Sequence, residues 1–240
     1  MTKHEIITTE IDRIINECEG VKTFIFNITD QLSSPVSPKP GQFVMVWVPG
    51  VDEVPMSLSA FDEKGNWAIT VKKVGECTEA LHQLKIGESI GVRGPLGNGF
   101  DLPMEKKDLF LVGGGMGMAP LRCLATRLNK LNLPFTLIQG GRKQGDLMFM
   151  DEFFDYGRKE SEFMYCTDDG SYGEEGLATD LFENAIKDYT QADFRTMRVY
   201  TCGPEPMMHA LFQACEKYGI PLQASLERMM RCGCGLCGLG

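Results

Sequence analysis

The chain has 240 residues, 43% hydrophobic and 24% charged, fractions that suit a globular protein with room for two domains. Its 24 Lys and Arg against 33 Asp and Glu leave a formal charge of −9, which argues against nucleic acid as a partner, because phosphate contacts need clustered cations. No apolar run reaches the roughly 18 residues of a membrane span, and the N-terminus lacks the apolar core of a secretory signal, so the expected setting is the cytoplasm, away from membranes.

Up to about residue 100 the chain reads as short strands. Glu5–Cys18 alternates apolar and polar positions, and Val21–Ile28 is β-branched and aromatic. Pro35, Pro38 and Pro40 break the chain before the strand Gln42–Val48, which Pro49-Gly50 ends. Leu58–Phe61 and Trp67–Lys73 follow, joined by a turn at Glu63–Asn66. Val74-Gly-Glu-Cys-Thr78 leads into a helix at Glu79–Leu84, where Thr78 is placed to cap it and meet a phosphate. Ser89–Arg93 is a last strand before the turn-rich Gly94–Gly99. Many short strands between turns predict a closed barrel.

The pattern changes near Pro103. Asp108–Val112 is a short, continuously apolar run, the mark of a strand buried on both faces. A glycine-rich turn and a helix at about Pro120–Lys130 follow it. Strands at Phe135–Ile138, Phe163–Cys166 and Met197–Thr201 then alternate with helical stretches beginning at Asp151, at Gly176–Lys187 and at Glu205–Tyr218. That alternation predicts a parallel sheet with helices on both sides.

Gly113-Gly-Gly-Met-Gly117 stands between the buried strand and a helix. Glycines let the backbone turn sharply and approach a ligand, and the helix N-terminus offers N–H groups to a diphosphate. The run is not G-x-G-x-x-G, and an ordinary tight strand-to-helix turn would use the same glycines. Thr201-Cys-Gly-Pro-Glu205 and Thr167-Asp-Asp-Gly-Ser171 follow two other strands, and ligands of an open parallel sheet sit beyond the carboxyl ends of its strands. The plainer readings are a buried thiol at Cys202 and a solvated turn at Asp168-Asp169.

The order of motifs carries a resemblance. Pro40-Gly-Gln-Phe43, Pro55-Met-Ser57, Gly75…Thr78, Gly94-Pro-Leu-Gly97, Gly113–Pro120 and Cys202-Gly-Pro204 together resemble the ferredoxin–NADP reductase superfamily over nearly the whole length. Within it, Gly94–Asp101 and Ser225-Leu-Glu-Arg228 followed by cysteines are similar to the electron-transfer subunits of dihydroorotate dehydrogenase. The resemblance implies a six-stranded antiparallel FAD-binding barrel at 1–103, a nicotinamide-binding α/β domain at 104–221 and a cysteine-rich [2Fe–2S] segment at 222–240.

Carried over residue by residue, it implies that Val54, Pro55, Met56 and Ser57 lie along the flavin, with Ser57 near its N5. Thr70, Val71 and Lys72 line the ring and ribityl chain, and Gly75, Cys77 and Thr78 hold the FAD diphosphate. Gly113, Gly114, Gly115 and Gly117 take the diphosphate of NAD, while Cys202, with Gly203 and Pro204, stands at the nicotinamide. Asp168, with Asp169, repels a 2′-phosphate and favours NAD, although Arg142 argues for phosphate. The sequence departs from the family at Val54, where an Arg is usual, and at Cys77, where a Gly is usual; Lys72 is placed to supply the missing charge.

Of nine cysteines, Cys18, Cys77, Cys123, Cys166, Cys202 and Cys215 are scattered, as small buried side chains are. Cys232 and Cys237 form a Cys-x4-Cys pair, with Cys234 between them. Plant-type [2Fe–2S] sites use C-x4-C-x2-C and a distant fourth cysteine, and the third would fall at Gly240, so the motif reads as incomplete. Three free thiols are the alternative, and zinc is disfavoured by the want of a neighbouring His. The expected partners are NAD(H) and a catalytic flavoprotein subunit of the dihydroorotate dehydrogenase type, in a heterotetramer. Two further readings stand beside this: a reductase subunit serving a sulfhydrogenase, an anaerobic sulfite reductase or a ferredoxin-linked transhydrogenase, and a flavin-binding adaptor without electron transfer.

Overall fold

A computed structural model describes residues 5–29, 37–103, 108–156 and 160–227, with Met230 and Gly233. Cys232, Cys234 and Cys237, expected to hold iron, lie outside the described residues, as do Pro35 and Arg228. The chain divides into two units, Met1–Gly99 with Glu227–Gly240, and Phe100–Leu226.

The first unit is the expected barrel. Its strands are β1 (Ile7–Cys18), β2 (Val21–Asn27), β3 (Phe43–Trp47), β4 (Glu53–Phe61), β5 (Asn66–Lys72) and β6 (Ser89–Leu96), closed in the order β1-β2-β5-β4-β3-β6. Every pairing is antiparallel. Alternation sends Ile11, Phe24, Phe26, Val44, Val46, Leu58, Trp67, Ile69, Ile90 and Val92 inward to one apolar core. Each such side chain contributes about 1.5–3 kcal/mol on burial, which sets the register against a one-residue slip.

Among the boundaries that differ from the sequence expectation, two bear on the site, while β6 runs on past Arg93 to Leu96. β4 begins at Glu53 rather than Leu58 and runs through Pro55. A proline is tolerated there because this half of β4 is paired with β3 alone, leaving an edge that loses no ladder bond. The helix after β5, α1 (Glu76–Gln83), begins a turn early, with Gly75 as its cap residue. Thr78 is therefore the third helical residue and not the cap. Its Oγ1 accepts from the N–H groups of Val74 at 2.9 Å and Gly75 at 3.0 Å, and donates to the Gly75 carbonyl at 2.9 Å. Leu81 and Cys77 of α1 join the barrel core.

The second unit is a parallel sheet of β7 (Leu109–Gly114), β8 (Thr136–Gly141), β9 (Glu162–Thr167), β10 (Glu174–Glu175), β11 (Arg198–Cys202) and β12 (Leu222–Ala224). The strand order is β10-β9-β8-β7-β11-β12. All six residues of β7, the central strand, are buried. The helices are α2 (Met118–Lys130), α3 (Met150–Tyr156), α4 (Ala178–Ile186), α5 (Gln191–Thr196) and α6 (Glu205–Tyr218). On one face α4, α5 and α6 build a cluster with Phe110, Val112, Ile138 and Val199, in which Phe110 meets Phe182 edge-on at 5.4 Å. On the other, Met118 and Leu121 of α2 crowd Gly113. Three short elements had no counterpart in the sequence reading: β10, α5 and β12, of two, six and three residues. From β7 the chain builds outward to β8 and β9, then crosses back to β11, so the order reverses between β7 and β11.

Candidate functional site

In the barrel, the decisive feature is an interrupted ladder. β4 pairs β5 only through Leu58, Ala60 and Phe61 against Ile69, Ala68 and Trp67. Its first half, Glu53–Ser57, pairs only with β3, from Trp47↔Glu53 to Phe43↔Ser57. The last residues of β5 pair only with β2, as Thr23↔Thr70, Lys22↔Val71 and Val21↔Lys72. Continuing the ladder would set 54–57 opposite 70–72, yet no pairing joins them. The barrel is thus open along two backbone edges, and those edges are the two segments expected along a flavin. A planar ring with donors and acceptors on its rim suits such a pair of unmet edges.

Side chains on these lips have divided duties. Val54 and Met56 pack against the barrel core, and Pro55 and Ser57, half-buried, alternate to the other face. Val71 is 1% exposed, so its side chain is core and only its backbone can meet a ligand. Thr70 is buried, with its hydroxyl 2.8 Å from that of Thr23. Lys72 is exposed at the end of β5, free in position to supply the charge that Val54 lacks.

α1 stands at the end of the same opening. The Cys77 thiol lies 3.6 Å from the carbonyl of Asp52, just ahead of β4, and burial, with Asp52 next, pushes its pKa up. A Cβ built at Gly75 would meet nothing within 4 Å, and the φ of −170° is open to any residue. Nothing among the described residues demands glycine there, whereas a diphosphate lying on the backbone at a helix N-terminus would. The unpaired lips and this bare turn fit a flavin dinucleotide. His82 ties α1 to the opening: its Nε2 donates to the Val71 carbonyl at 2.9 Å, and its own carbonyl accepts from Lys22 Nζ at 2.9 Å. Burial holds the His82 pKa below its ordinary value.

In the sheet, the glycine turn lies at the strand reversal. Gly113 and Gly114 end β7, Gly115–Gly117 form one tight turn, and α2 begins at Met118. A Cβ at Gly113 would sit 2.5 Å from Leu121 Cδ1, and one at Gly117 would overlap the Cys202 carbonyl. Gly203, with φ +154°, would place a Cβ 2.9 Å from the Gly114 carbonyl. Gly117 and Gly203 let the turn after β7 pack backbone to backbone on the end of β11, and Gly113 makes room for α2, which is the tight-turn reading. Gly115, with φ +53°, would meet nothing within 4 Å, so the tip of the turn is open. The tight-turn reading accounts for Gly113, Gly117 and Gly203, and Gly115 leaves room at the tip of the turn.

Cys202 ends β11 in register with Gly113 and is 3% exposed. The structure therefore brings Gly113–Gly117 together with Cys202, Gly203 and Pro204. Asp168 is not beside them: it follows β9, two strands from β7, with its N–H donating to the Gly141 carbonyl at 3.0 Å. Asp169 accepts from both the N–H and the hydroxyl of Ser171, which holds its carboxyl below the usual range. Sequence reasoning missed Asp146, whose carboxylate pairs with Arg142 at 2.9 Å; their i,i+4 spacing was the available signal. It also missed Tyr172 and Leu177, exposed apolar side chains at the same edge of the sheet.

Comparison with known proteins agrees with this geometry. Residues 8–100 match the oxidoreductase FAD-binding domain, and residues 111–213 match the oxidoreductase NAD-binding domain. A protein of Methanocella arvoryzae named "probable dihydroorotate dehydrogenase B (NAD(+)), electron transfer subunit" is 42% identical, over 97% of this chain and 83% of its own length. One of the same name from Methanocaldococcus jannaschii is 39% identical, over 97% and 82%. Among solved structures, an NADH-dependent reduced ferredoxin-NADP oxidoreductase superposes with a TM-score of 0.79 at 27% identity, over 96% of this chain and 80% of that one. With flavin and nicotinamide modules in this order and such identity over nearly its full length, the chain belongs to the family of dihydroorotate dehydrogenase B electron transfer subunits.

Proposed function

We propose that this chain moves electrons from a dihydroorotate-oxidising partner to NAD+, in pyrimidine biosynthesis, by way of its own FAD. The observation that carries this reading is the presence, in one chain, of an open barrel edge that fits a flavin and a glycine turn at the reversal of a parallel sheet. The relatives bear the name of an electron transfer subunit, which favours this partner over a sulfhydrogenase, a sulfite reductase or a transhydrogenase.

FAD, when bound, supplies the junction between one-electron and two-electron chemistry. The chain's own residues position and shield it. Val54, Pro55 and Met56 would hold the ring along one lip of the barrel, and Ser57 would offer its hydroxyl toward the flavin N5. Thr70, Val71 and Lys72 supply the other side, Val71 through its backbone. Gly75, Cys77 and Thr78 present N–H groups at the α1 N-terminus to the diphosphate. In the sheet, Gly113, Gly114, Gly115 and Gly117 receive the NAD diphosphate at the start of α2. Cys202, Gly203 and Pro204 close around the nicotinamide, and the buried Cys202 keeps water from the reacting carbon. Asp168 disfavours a 2′-phosphate, so NAD is the expected substrate.

Cys232, Cys234 and Cys237 are the proposed ligands of a [2Fe–2S] centre, whose iron takes thiolates of this kind. Gly233, between two of them, would place a Cβ about 3 Å from Met45 and Leu96 of the barrel. The proposed assembly is a cytoplasmic heterotetramer with the catalytic flavoprotein subunit.

The test is reconstitution. The full chain is expected to take up FAD and turn yellow, and NADH is expected to bleach it. Dihydroorotate is expected to reduce NAD+ only when the chain is mixed with the dihydroorotate-oxidising flavoprotein. A chain that takes up no FAD defeats the proposal outright. A flavin-loaded chain that copurifies with a hydrogenase or sulfite reductase instead would change the partner.

A further inference from the structure

We infer that Asp146 makes the site selective for NAD by occupying the guanidinium of Arg142, which would otherwise receive a ribose 2′-phosphate. The inference rests on the dinucleotide reading of the sheet and names the residue that sets its specificity.

In a doubly wound sheet the ribose next to the adenine lies by the end of the strand that follows the glycine turn, where an acidic residue selects the 2′-hydroxyl and an arginine the 2′-phosphate. Here that strand is β8, whose Gly140 is in register with Gly114. Arg142 and Lys143 come directly after it. Taken alone, this pair of cations suits a phosphate, since a guanidinium grips phosphate through two parallel N–H groups.

Arg142 has the Nε side of that fork engaged already. Its Nε donates to Asp146 Oδ2 at 2.9 Å and its Nη2 reaches Oδ1 at 3.4 Å. The carboxylate is the fixed member of the pair: the Asp146 N–H donates to the Lys143 carbonyl at 2.9 Å, and its side chain is 24% exposed against 73% for Arg142. Two further carboxylates stand on the neighbouring strand end. Asp168 and Asp169 are anchored through backbone N–H groups to the carbonyls of Gly141 and Arg142, at 3.0 and 3.3 Å. The Asp168 carboxylate also acts on Arg142, beside that of Asp146, while Asp169 is turned to Ser171. A neutral 2′-hydroxyl is accommodated beside this pair, whereas a phosphate must compete with the Asp146 carboxylate for the guanidinium and approach that of Asp168. An exposed ion pair contributes little to stability, so its removal leaves the fold intact and changes what Arg142 can bind.

Binding of 5′-AMP and 2′,5′-ADP to the full chain, followed by calorimetry, tests this without reliance on flavin turnover. Wild type is expected to bind 5′-AMP more tightly. Asp146→Asn is expected to strengthen 2′,5′-ADP binding roughly tenfold, about one charge-assisted hydrogen bond, while 5′-AMP stays within about twofold. Arg142→Ala in the Asp146→Asn background should remove the gain, which a purely structural role for Asp146 would not predict. The ratio of kcat/KM for NADPH over NADH, with a dye as acceptor, should rise in parallel. If 5′-AMP binds but the affinity for 2′,5′-ADP is unmoved by Asp146→Asn, the inference is overturned and the dinucleotide site stands. If neither nucleotide binds wild type, the dinucleotide site itself is overturned, and the role of Asp146 with it.

Discussion

An alanine at Gly117 would drive its Cβ into the carbonyl of Cys202, a backbone atom on the neighbouring strand. One at Gly75 would meet nothing within 4 Å. The two substitutions therefore separate packing from ligand approach. Gly117→Ala is expected to destabilise the chain by about 3 kcal/mol, as overpacking against an immovable group does, read by urea unfolding. Gly75→Ala is expected to cost the flavin-free chain under about 1 kcal/mol, the difference between glycine and alanine as a cap. Its FAD affinity should nevertheless fall at least tenfold, read by fluorescence titration. Unchanged FAD affinity in Gly75→Ala would remove the diphosphate from this turn. Sequence alone marked both glycines but could not sort them, because the atoms that decide are on β11 in one case and absent in the other.

At the scale of elements, α1 and the open edge of β5 form one device. His82 donates to the Val71 carbonyl, so α1 carries its N-terminus and the lip of the barrel together. Burial lowers the His82 pKa below its ordinary value of 6.5. The unfolded chain then takes up the proton more readily than the folded one. This contribution to stability is full above about pH 6.5 and is lost as pH falls through the lowered folded value. His82→Gln, which keeps a donor and cannot be protonated, is expected to flatten the loss of flavin-free stability between pH 7 and 5, measured by thermal melts. A loss of the same slope in the variant would assign it to other groups. The unpaired edges make a second prediction. Amides within 54–57 and 70–72 that lack a ladder partner are expected to exchange quickly in the flavin-free chain and to slow on addition of FAD. Those of 67–69, already paired on both sides, should change little. Hydrogen exchange with mass spectrometry reads both; equal protection across β5 would contradict the open edge. The strands and long helices were legible in the sequence because their apolar residues repeat with a fixed period. β10, α5 and β12 were not, because two, six and three residues hold no period to read.

For the whole molecule, the proposed electron path divides into two legs that chemistry can separate. Cys232→Ser, Cys234→Ser or removal of iron by a chelator is expected to abolish dihydroorotate-dependent NAD+ reduction by the complex. Reduction of a dye by NADH, which needs only FAD and the nicotinamide site, should persist at more than half its rate. Loss of both activities together would place the cysteines in the fold of the flavin unit instead of in the path to the partner. The amino-acid sequence by itself determined the barrel, the parallel sheet and the order of their glycine and proline motifs, because period, turn chemistry and motif order are local along the chain. Tertiary structure decided which of those motif residues keep a surface for a ligand. It showed the ladder between β4 and β5 stopping at Leu58 and Ile69, Val71 and Cys77 turned into the core, and Arg142 already held by Asp146. Those outcomes depend on strands and side chains far apart in sequence, and only packing brings them within reach of one another.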